Sequence, residues 1–337
     1  SYLRVEKEKN IPFEEYEGVN SFATLLKAIN KIEGIERIRF VSPHPKDFTD
    51  DVIEAIANSE KVCKLVHLPL QSGNTKVLKE MNRKYSKEQY LNLVEKMKAK
   101  IPNLTLSTDI IVGFPGETDE EFEDTLDVVK KVKFEQVYMF IYSRRIGTPG
   151  DRMPNQIPEE IKHKRFNKLK ELVESQIEEN NKKYIGTIQK VLVEGTSKNN
   201  KDMLTGRTDS NKVVIFEGSK DLINQIIDLK IVSEHMWYLK GTMDFGLSEE
   251  TLNKIKKIAH ENKKYKFKIF GSRAKNTYKK TSDIDIAIFE NVSKEDEYKI
   301  RNSFDLLDII YKIDLIFINK NTKPEFLKEI KNEGVEI

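Results

Sequence analysis

Cysteine is nearly absent from this sequence, since Cys63 is the only one among 337 residues. One thiol cannot form an internal disulfide, and an iron–sulfur cluster, which takes three or four thiolates, cannot be held by these residues. No grouping of Cys and His has the spacing of a zinc site. Cys63 lies in the apolar-flanked run VCKLVHL, which indicates a buried, inert thiol rather than a reactive one.

Long hydrophobic runs are missing as well. No apolar stretch approaches the ~20 residues that a membrane span needs, and no charged-then-apolar leader with a small-residue cleavage site is visible. We therefore expect a soluble, cytoplasmic protein without a membrane partner. The formal net charge of +3 is too small to identify a nucleic-acid-binding protein by itself, although Lys and Arg are locally concentrated.

The first half of the chain has the pattern of an α/β fold. Residues 21–150 alternate amphipathic helical patterns with short apolar runs, which is typical of repeated βα units around a parallel sheet. Strands are predicted at 36–41, 64–68, 104–112 and 136–142. Two capping boxes, Ser86 with Gln89 and Thr118 with Glu121, predict where helices begin.

The pattern changes twice in the second half. After a long charged helix predicted over 158–184, residues 186–243 form short alternating β segments separated by Gly, Asn, Asp and Ser. This predicts a small antiparallel barrel, with Trp237 and Tyr238 in its core. Ser248 then caps a helix that begins an α+β region.

Each of the four predicted strands is followed by a polar or glycine-rich stretch. These stretches are SPHP at 42–45, HLPLQSG at 67–73, GFPGET at 113–118 and YSRRIGTPG at 142–150. In barrel-like parallel sheets the carboxyl ends of the strands share one face, so we expect the stretches to build one site. Glycines in the third stretch let backbone amides approach a ligand, and the helix from Thr118 directs its positive end to the same face.

In order and spacing, these four stretches resemble the radical-SAM tRNA methylthiotransferases, and residues 185–243 resemble the RNA-binding TRAM barrel that ends those enzymes. The resemblance implies part of a radical-SAM (β/α) barrel, with S-adenosylmethionine and 4Fe–4S clusters as cofactors and tRNA as substrate. It further implies the residues of the S-adenosylmethionine pocket, which are His67, Gln71, Ser72, Asp109, Gly113 and Glu117. The structural alternatives are strand-end capping for Asp109 and a helix N-terminal charge for Glu117.

Basic side chains on loops are candidate RNA contacts. Arg144 and Arg145 lie beside Tyr142 above the expected active face, and Arg207 and Lys212 lie at turns of the predicted barrel. Such side chains can neutralise phosphates. A solvated loop or surface is the alternative for each of them.

The sequence departs from the methylthiotransferase family in one respect. The three-cysteine loop that defines the family, and the N-terminal domain with further cluster cysteines, are not in these residues, and the chain does not begin with Met. We therefore expect an N-terminally truncated core. Because the ligands of the cluster are missing here, reductive cleavage of S-adenosylmethionine is not expected from these residues alone.

A second group of candidate site residues lies at 267–289, FKIFGSRAKNTYKKTSDIDIAIF. Asp283 and Asp285 are two apart on a predicted strand and so point the same way, and the later strand KIDLIFI supplies Asp314. Three convergent carboxylates suggest Mg²⁺. The Gly271-Ser272 turn would offer amides and a hydroxyl to a nucleoside triphosphate, with Arg273 or Lys275 to neutralise charge. Capping of strands and turns is the alternative.

The glycine-serine turn, the DxD strand and the later aspartate together resemble the minimal nucleotidyltransferases, which implies a HEPN-type helical partner protein. One departure is Asn276, where the family has glycine, although Asn tolerates positive φ. We thus predict three domains: a partial radical-SAM core at 1–183, a TRAM barrel at 184–243 and a nucleotidyltransferase at 244–337. The alternatives are that only Mg-dependent nucleotidyl transfer survives, or that the chain is a non-catalytic RNA-binding fragment.

Overall fold

A computed structural model describes residues 21–41, 44–45 and 48–337. The chain divides into two compact units, one comprising residues up to Asn180 and one running from Asn181 to Ile337. Ser42 and Pro43 of the SPHP stretch lie outside the described residues. Among the helices that are described, none is long and apolar enough to cross a membrane.

The first unit is an α/β layer around a three-stranded parallel sheet of order β1-β2-β3. Its strands are β1 (Leu65–His67), β2 (Thr105–Val112) and β3 (Gln136–Ile141). Its helices are α1 (Ser21–Asn30), α2 (Asp50–Asn58), α3 (Thr75–Glu80), α4 (Lys87–Lys100), α5 (Asp119–Val132), α6 (Pro149–Arg152) and α7 (Glu159–Lys182). The predicted parallel sheet is confirmed.

The strand predicted at 36–41 was wrong. Only Ile38 joins the sheet region, through a single parallel bridge to Val62. The amide of Ile38 donates to the Lys61 carbonyl at 2.7 Å and its carbonyl accepts from the Cys63 amide at 2.9 Å. The facing segment therefore offers hydrogen bonds to one residue only, and an apolar run becomes a strand only where a partner pairs along its length.

Both predicted capping boxes are present. The Ser86 hydroxyl accepts from the Gln89 amide while the Gln89 side chain accepts from the Ser86 amide, and Thr118 and Glu121 make the same reciprocal pair at the start of α5. Helix α5 also carries acidic residues in its first turn and Lys130 in its last, which suits the helix dipole. These ends fix how α4 and α5 enter the layer that covers one face of the sheet.

The second unit begins with a closed barrel of order β4-β5-β6-β8-β7. Its strands are β4 (Ile188–Thr196), β5 (Leu204–Arg207), β6 (Val213–Phe216), β7 (Ile226–His235) and β8 (Tyr238–Thr242). The predicted barrel is confirmed, with one parallel pair, β6 with β8. The expectation that Trp237 is core was wrong: it sits in the two-residue turn between β7 and β8, which directs it outward, and it is 66% exposed.

A mixed sheet of order β11-β10-β9-β12 completes the second unit. Its strands are β9 (Lys266–Phe270), β10 (Ile284–Phe289), β11 (Ile313–Phe317) and β12 (Val335–Glu336). Its helices are α8 (Glu249–Glu261), α9 (Gly271–Ala274), α10 (Lys294–Asp305) and α11 (Pro324–Glu333). One hydrophobic core runs from the barrel interior through Met243, Phe245 and Leu247 to the sheet, so the connection is buried.

Candidate functional sites

Strand register brings His67 and Asp109 together on one face of the parallel sheet. His67 pairs with Ser107, and Asp109 pairs with Tyr138, which puts all four side chains on the same side of the pleat. His67 Nε2 lies 3.3 Å from Asp109 Oδ2, and His67 Nδ1 lies 3.0 Å from Ser107 Oγ. The Tyr138 ring meets the imidazole edge-on at 5.7 Å between centroids.

This polar face is partly open, whereas the opposite face is core. The side chains of His67 and Asp109 are 15% and 29% exposed, while Val66, Leu106 and Ile110 on the other face are buried beneath the helices. An imidazole hydrogen-bonded to a partly exposed carboxylate can bind a polar ligand. Tyr138 was not predicted, and its alternation with Phe140, also exposed, was the available signal.

Gln71 and Ser72 are placed differently from His67. Gln71 adopts φ 68°, and its backbone extends the ladder by donating to the Asp109 carbonyl and accepting from the Ile111 amide. Ser72 is fully buried, with its hydroxyl 3.4 Å from Thr125 Oγ1 on α5. Ser72 therefore contributes to packing against α5 and does not lie at the open face.

Glu117 forms a buried ion pair with Arg165 and also accepts a hydrogen bond from the Gly113 amide. The Gly113 amide donates to Glu117 Oε2 at 2.8 Å, and Arg165 Nη1 on α7 donates to the same oxygen at 2.9 Å. Burial raises the pKa of the Glu117 carboxyl, although the Gly113 amide and Arg165 oppose that shift. In the described part of the chain, Glu117 Oε1 has no hydrogen-bond partner.

Two residues of α7 that the sequence did not identify cover this loop. A Cβ on residue 113 would lie only 2.4 Å from Cγ of Lys162, so position 113 requires glycine. Arg165 and Lys162 are buried on the stripe that continues to Leu169 and Val173. Charged residues on the apolar stripe of a helix were the signal in the sequence.

The side chains of Arg144 and Arg145 differ in their contacts. Arg144 Nε donates to Asp151 Oδ1 at 3.1 Å, and its Nη2 donates to the Asp151 carbonyl at 3.0 Å. Arg145 is exposed, and its carbonyl accepts from Thr148. In the barrel, Arg207 pairs with Glu194 at 3.1 Å, and the Lys212 amide donates to Thr208 Oγ1. Arg145 is thus the more open of the two loop arginines.

The second site is built around Gly271. Gly271 adopts φ 69°, and a Cβ there would lie 2.7 Å from Asp285 Oδ2, so only glycine lets the loop approach this carboxylate. Asn276, the predicted departure, has φ 57° and so takes the left-handed conformation expected of a glycine substitute. The loop geometry is therefore kept.

Asp285 lies among like charges at the junction of β9, β10 and β11. It pairs with Phe270 on one side and with Asp314 on the other. Burial, followed by the charges of Asp314 and Asp283, raises the pKa of Asp285. Asp314 is turned toward Lys312, whose ammonium lies 2.7 Å from Asp314 Oδ1 and has its own pKa raised by the pair.

The carboxylates are neighbours rather than a closed ligand set. Within the ranges 21–41, 44–45 and 48–337, no three Asp, Glu, His or Cys side chains are gathered closely enough to hold a metal. A half-buried carboxylate repelled by two others is nonetheless the environment that a divalent cation relieves. Asp314 could join Asp283 and Asp285 around such a cation only if it left Lys312.

Arg273 and Lys275 are occupied within the protein. Arg273 is fully buried and donates to the carbonyls of Phe245, Gly246, Ser282 and Asp283. Its guanidinium also stacks on Tyr311 at 4.5 Å. Lys275 pairs with Glu333 at 2.7 Å. Arg273 thus holds the Gly271 loop from its buried side.

Three family models match the chain. Residues 18–129 match the Radical SAM superfamily, residues 182–243 match the TRAM domain, and residues 253–337 match Polymerase beta, Nucleotidyltransferase. The chain therefore contains a radical-SAM domain, a TRAM domain and a polymerase-beta-type nucleotidyltransferase domain. The two resemblances inferred from the motifs are confirmed.

Two curated relatives with the same name are similar to this chain. A tRNA-2-methylthio-N(6)-dimethylallyladenosine synthase of Clostridium tetani is 54% identical over 221 residues, which is 66% of this chain and 49% of that protein. Its counterpart in Clostridium beijerinckii is 53% identical over 224 residues, 66% of this chain and 49% of that protein. The chain spans about half the length of the curated relatives it matches.

Two solved structures are also similar. One is coproporphyrinogen III oxidase from Escherichia coli, a radical SAM enzyme, with 13% identity over 51% of this chain and 46% of that one. The other is Methanocaldococcus infernus Elp3, with 13% identity over 73% of this chain and 78% of that one. Their TM-scores, both 0.36, are too low to argue a shared overall fold.

Proposed function

We propose that the first unit and the barrel form the S-adenosylmethionine- and tRNA-binding part of an enzyme that methylthiolates isopentenyl-adenosine beside the anticodon. The observation that carries this proposal is the 54% identity over 221 residues to an enzyme named for that product. The half-open His67–Asp109 pair would face S-adenosylmethionine, with Gln71 and Gly113 shaping the backbone around it. Arg144, Arg145, Arg207 and Lys212 would contact tRNA phosphates.

A 4Fe–4S cluster does not fit the residues present. Radical-SAM proteins use such a cluster, but Cys63 is the only cysteine of the chain and is 1% exposed within the core. One buried thiol cannot replace three exposed thiolates. No step through a cluster is therefore assigned to these residues, and their part is to bind and orient.

The test of the first proposal is calorimetric titration of the chain with S-adenosylmethionine. Replacing Asp109 by Asn should weaken binding about tenfold, which corresponds to one charge-assisted hydrogen bond of ~1.5 kcal/mol. Glu95→Gln, an exposed change on α4, is the control and should leave the affinity unchanged. If the Asp109 variant and the parent bind S-adenosylmethionine with equal affinity, the pocket does not lie on this face of the sheet.

We further propose that the C-terminal domain transfers a nucleotidyl group from a nucleoside triphosphate to an acceptor hydroxyl, with release of pyrophosphate. The observation behind it is the approach of the Gly271 loop to Asp285, which glycine alone permits. Asp283 and Asp285 would hold Mg²⁺, which supplies positive charge to the triphosphate when bound. The amides of the loop and the Ser272 hydroxyl would orient the phosphates.

An Asp285→Asn variant tests this second proposal. Because burial and neighbouring carboxylates raise the pKa of Asp285, its ionised form opposes folding, and stability present at low pH is lost as pH rises through that pKa. At neutral pH and without metal, the variant should therefore melt no lower than the parent. The increase in melting temperature that Mg²⁺ with ATP gives the parent should be absent in the variant and retained in Asp308→Asn.

A HEPN-type protein is a further partner proposal for this domain. Leu306 and Ile310 are 75% and 91% exposed after α10, and apolar side chains of this kind need a cover in a stable complex. Size-exclusion chromatography of the chain mixed with such a protein should show a joint peak. That peak should be lost in a Leu306→Asp, Ile310→Asp variant.

A further inference from the structure

Two adjoining cavities lie within the second unit, between the barrel and the β9–β12 edge of the mixed sheet. Their volumes are about 570 and 550 Å³. They share a rim made by Met203, Glu217, Lys266, Val335 and Glu336. Because the rim is common, the cavities form one continuous depression, which we call the lysine cleft.

The lysine cleft is strongly basic. Its lining holds eight lysines and three carboxylates, the latter being Asp202, Glu217 and Glu336. The lysines are Lys201, Lys220, Lys240, Lys256, Lys263, Lys266, Lys268 and Lys331. Such a surplus of one sign in a concave surface concentrates the field and attracts polyanions.

Most of these lysines are not neutralised by the protein. Lys266 lies 3.9 Å from Glu336, and Lys268 donates to the Gly334 carbonyl. The other six form no ion pair and no side-chain hydrogen bond with any residue that the structure describes. Elsewhere in the same unit the pattern differs, since Lys230, Lys254 and Lys264 each pair with a carboxylate within 3 Å. Unpaired ammonium groups are thus concentrated at the cleft.

The arrangement suits an extended anion better than a compact one. The lysines come from β8, α8, the connection between α8 and β9, β9, α11 and two barrel loops, spread over both cavities. Apolar and aromatic groups, among them Tyr265, Phe267 and Ile215, line the first cavity between the lysines, and bases can lie against such surfaces.

We propose that the lysine cleft binds the phosphate backbone of single-stranded RNA. The choice of RNA over another polyanion rests on the proposed tRNA-directed function, because the TRAM barrel forms one wall. The residues of the other wall belong to the segment that matches the nucleotidyltransferase family, so both domains form the cleft. It is separate from the Asp285 site, since Lys266 and Phe270 stand at opposite ends of β9, about 13 Å apart.

Fluorescence anisotropy with a labelled single-stranded RNA of about 12 nucleotides tests the proposal on the full chain. The cleft variant carries Lys220, Lys256, Lys263 and Lys331 each changed to Gln. Its matched control carries Lys257, Lys294, Lys299 and Lys320 changed to Gln, all exposed in the same unit. Losing four phosphate contacts should weaken binding at least ~30-fold near 0.1 M salt and reduce the logarithmic salt slope by about 3.

Further arms separate this proposal from the function it rests on. The cleft variant should keep the parent's affinity for S-adenosylmethionine and the parent's increase in melting temperature with Mg²⁺ and ATP, because none of its four lysines belongs to either proposed site. The paired variants K220Q/K331Q and K256Q/K263Q should each lose a smaller part of the RNA affinity. They test the cleft if the fourfold variant does not fold. Unchanged affinity of the folded cleft variants, or equal competition by polyglutamate, would overturn the RNA assignment.

Discussion

At the scale of single residues, the position of Glu117 shows how a charged side chain can serve folding. Glu117 is 2% exposed and meets Arg165, which lies 48 positions away on α7. The second ligand of Arg165, Asp119, is 84% exposed. The two carboxylates share one guanidinium but differ strongly in desolvation, and Glu117 alone also accepts the Gly113 amide, so they can be compared by experiment.

Replacing Glu117 by Gln should lower the free energy of unfolding of the first unit by about 3 kcal/mol, because the buried Arg165 guanidinium then keeps only the exposed Asp119 as a counter-charge. Asp119→Asn should cost far less, because the Asp119 carboxylate is solvated and screened from the guanidinium. Urea unfolding followed by circular dichroism measures both. If the two variants lose equal stability, burial does not distinguish the two carboxylates.

The sequence identified the types of side chain at both sites better than their surroundings. Asn276 was predicted to tolerate the left-handed conformation from its own chemistry, and it does so. Arg273 was assigned to nucleotide binding, but four backbone carbonyls surround it, all of them supplied by residues at least nine positions away. Conformational preference is local, whereas desolvation and hydrogen-bond partners depend on chain segments that only folding brings near.

At the scale of elements, the same division separates correct from incorrect predictions. The capping boxes at Ser86 and Thr118 involve residues three apart, so the sequence contains the whole interaction. The strand predicted at 36–41 would have needed a partner strand along its whole length. Placing Trp237 would have needed the knowledge that it lies in the two-residue turn between β7 and β8. Strands 64–68 and 104–112 succeeded because they pair with each other over Leu65 to His67.

Helix α10 is anchored by Asp296 near its N-terminus. Hydrogen bonds from Lys264, Tyr265 and Ser293 hold the pKa of Asp296 well below its ordinary value of 3.8. Because its pKa is depressed in the folded state, the ionised Asp296 carboxylate stabilises the fold at pH values above its ordinary pKa. This stabilisation is lost as the pH falls toward the folded-state pKa. The anchor should therefore act at neutral pH and fade in acid.

An Asp296→Asn variant should accordingly unfold at lower urea than the parent at pH ~7, with the difference shrinking as pH drops below about 4. Glu295→Gln, which removes one exposed i,i+4 pair of the same helix, should give a change of only ~0.3 kcal/mol. Urea midpoints measured across this pH range decide the matter. A difference that stayed constant down to acid pH would place the stabilisation in something other than the charge.

At the scale of the whole molecule, the described residues form two large hydrophobic cores, besides a small cluster of Phe270, Ala287 and Ile330 in the second unit. One runs from Ala23 to Ile177 and belongs to the first unit, and the other runs from Val191 to Val335 and joins barrel and sheet. The division into three domains at 183 and 243 stays a prediction. A change of sequence texture marks where the type of secondary structure changes, but it contains no information on whether neighbouring elements share a core.

Because cooperative unfolding follows a shared core, differential scanning calorimetry of the full chain should resolve two transitions. Glu117→Gln should lower only the transition of the first unit. Arg273→Lys, which cannot supply the donors that now satisfy the carbonyls of Phe245, Gly246, Ser282 and Asp283, should lower only that of the second, by roughly 5–10 °C. Displacement of both transitions by either substitution, or a single transition that responds to both, would show that the two cores unfold as one.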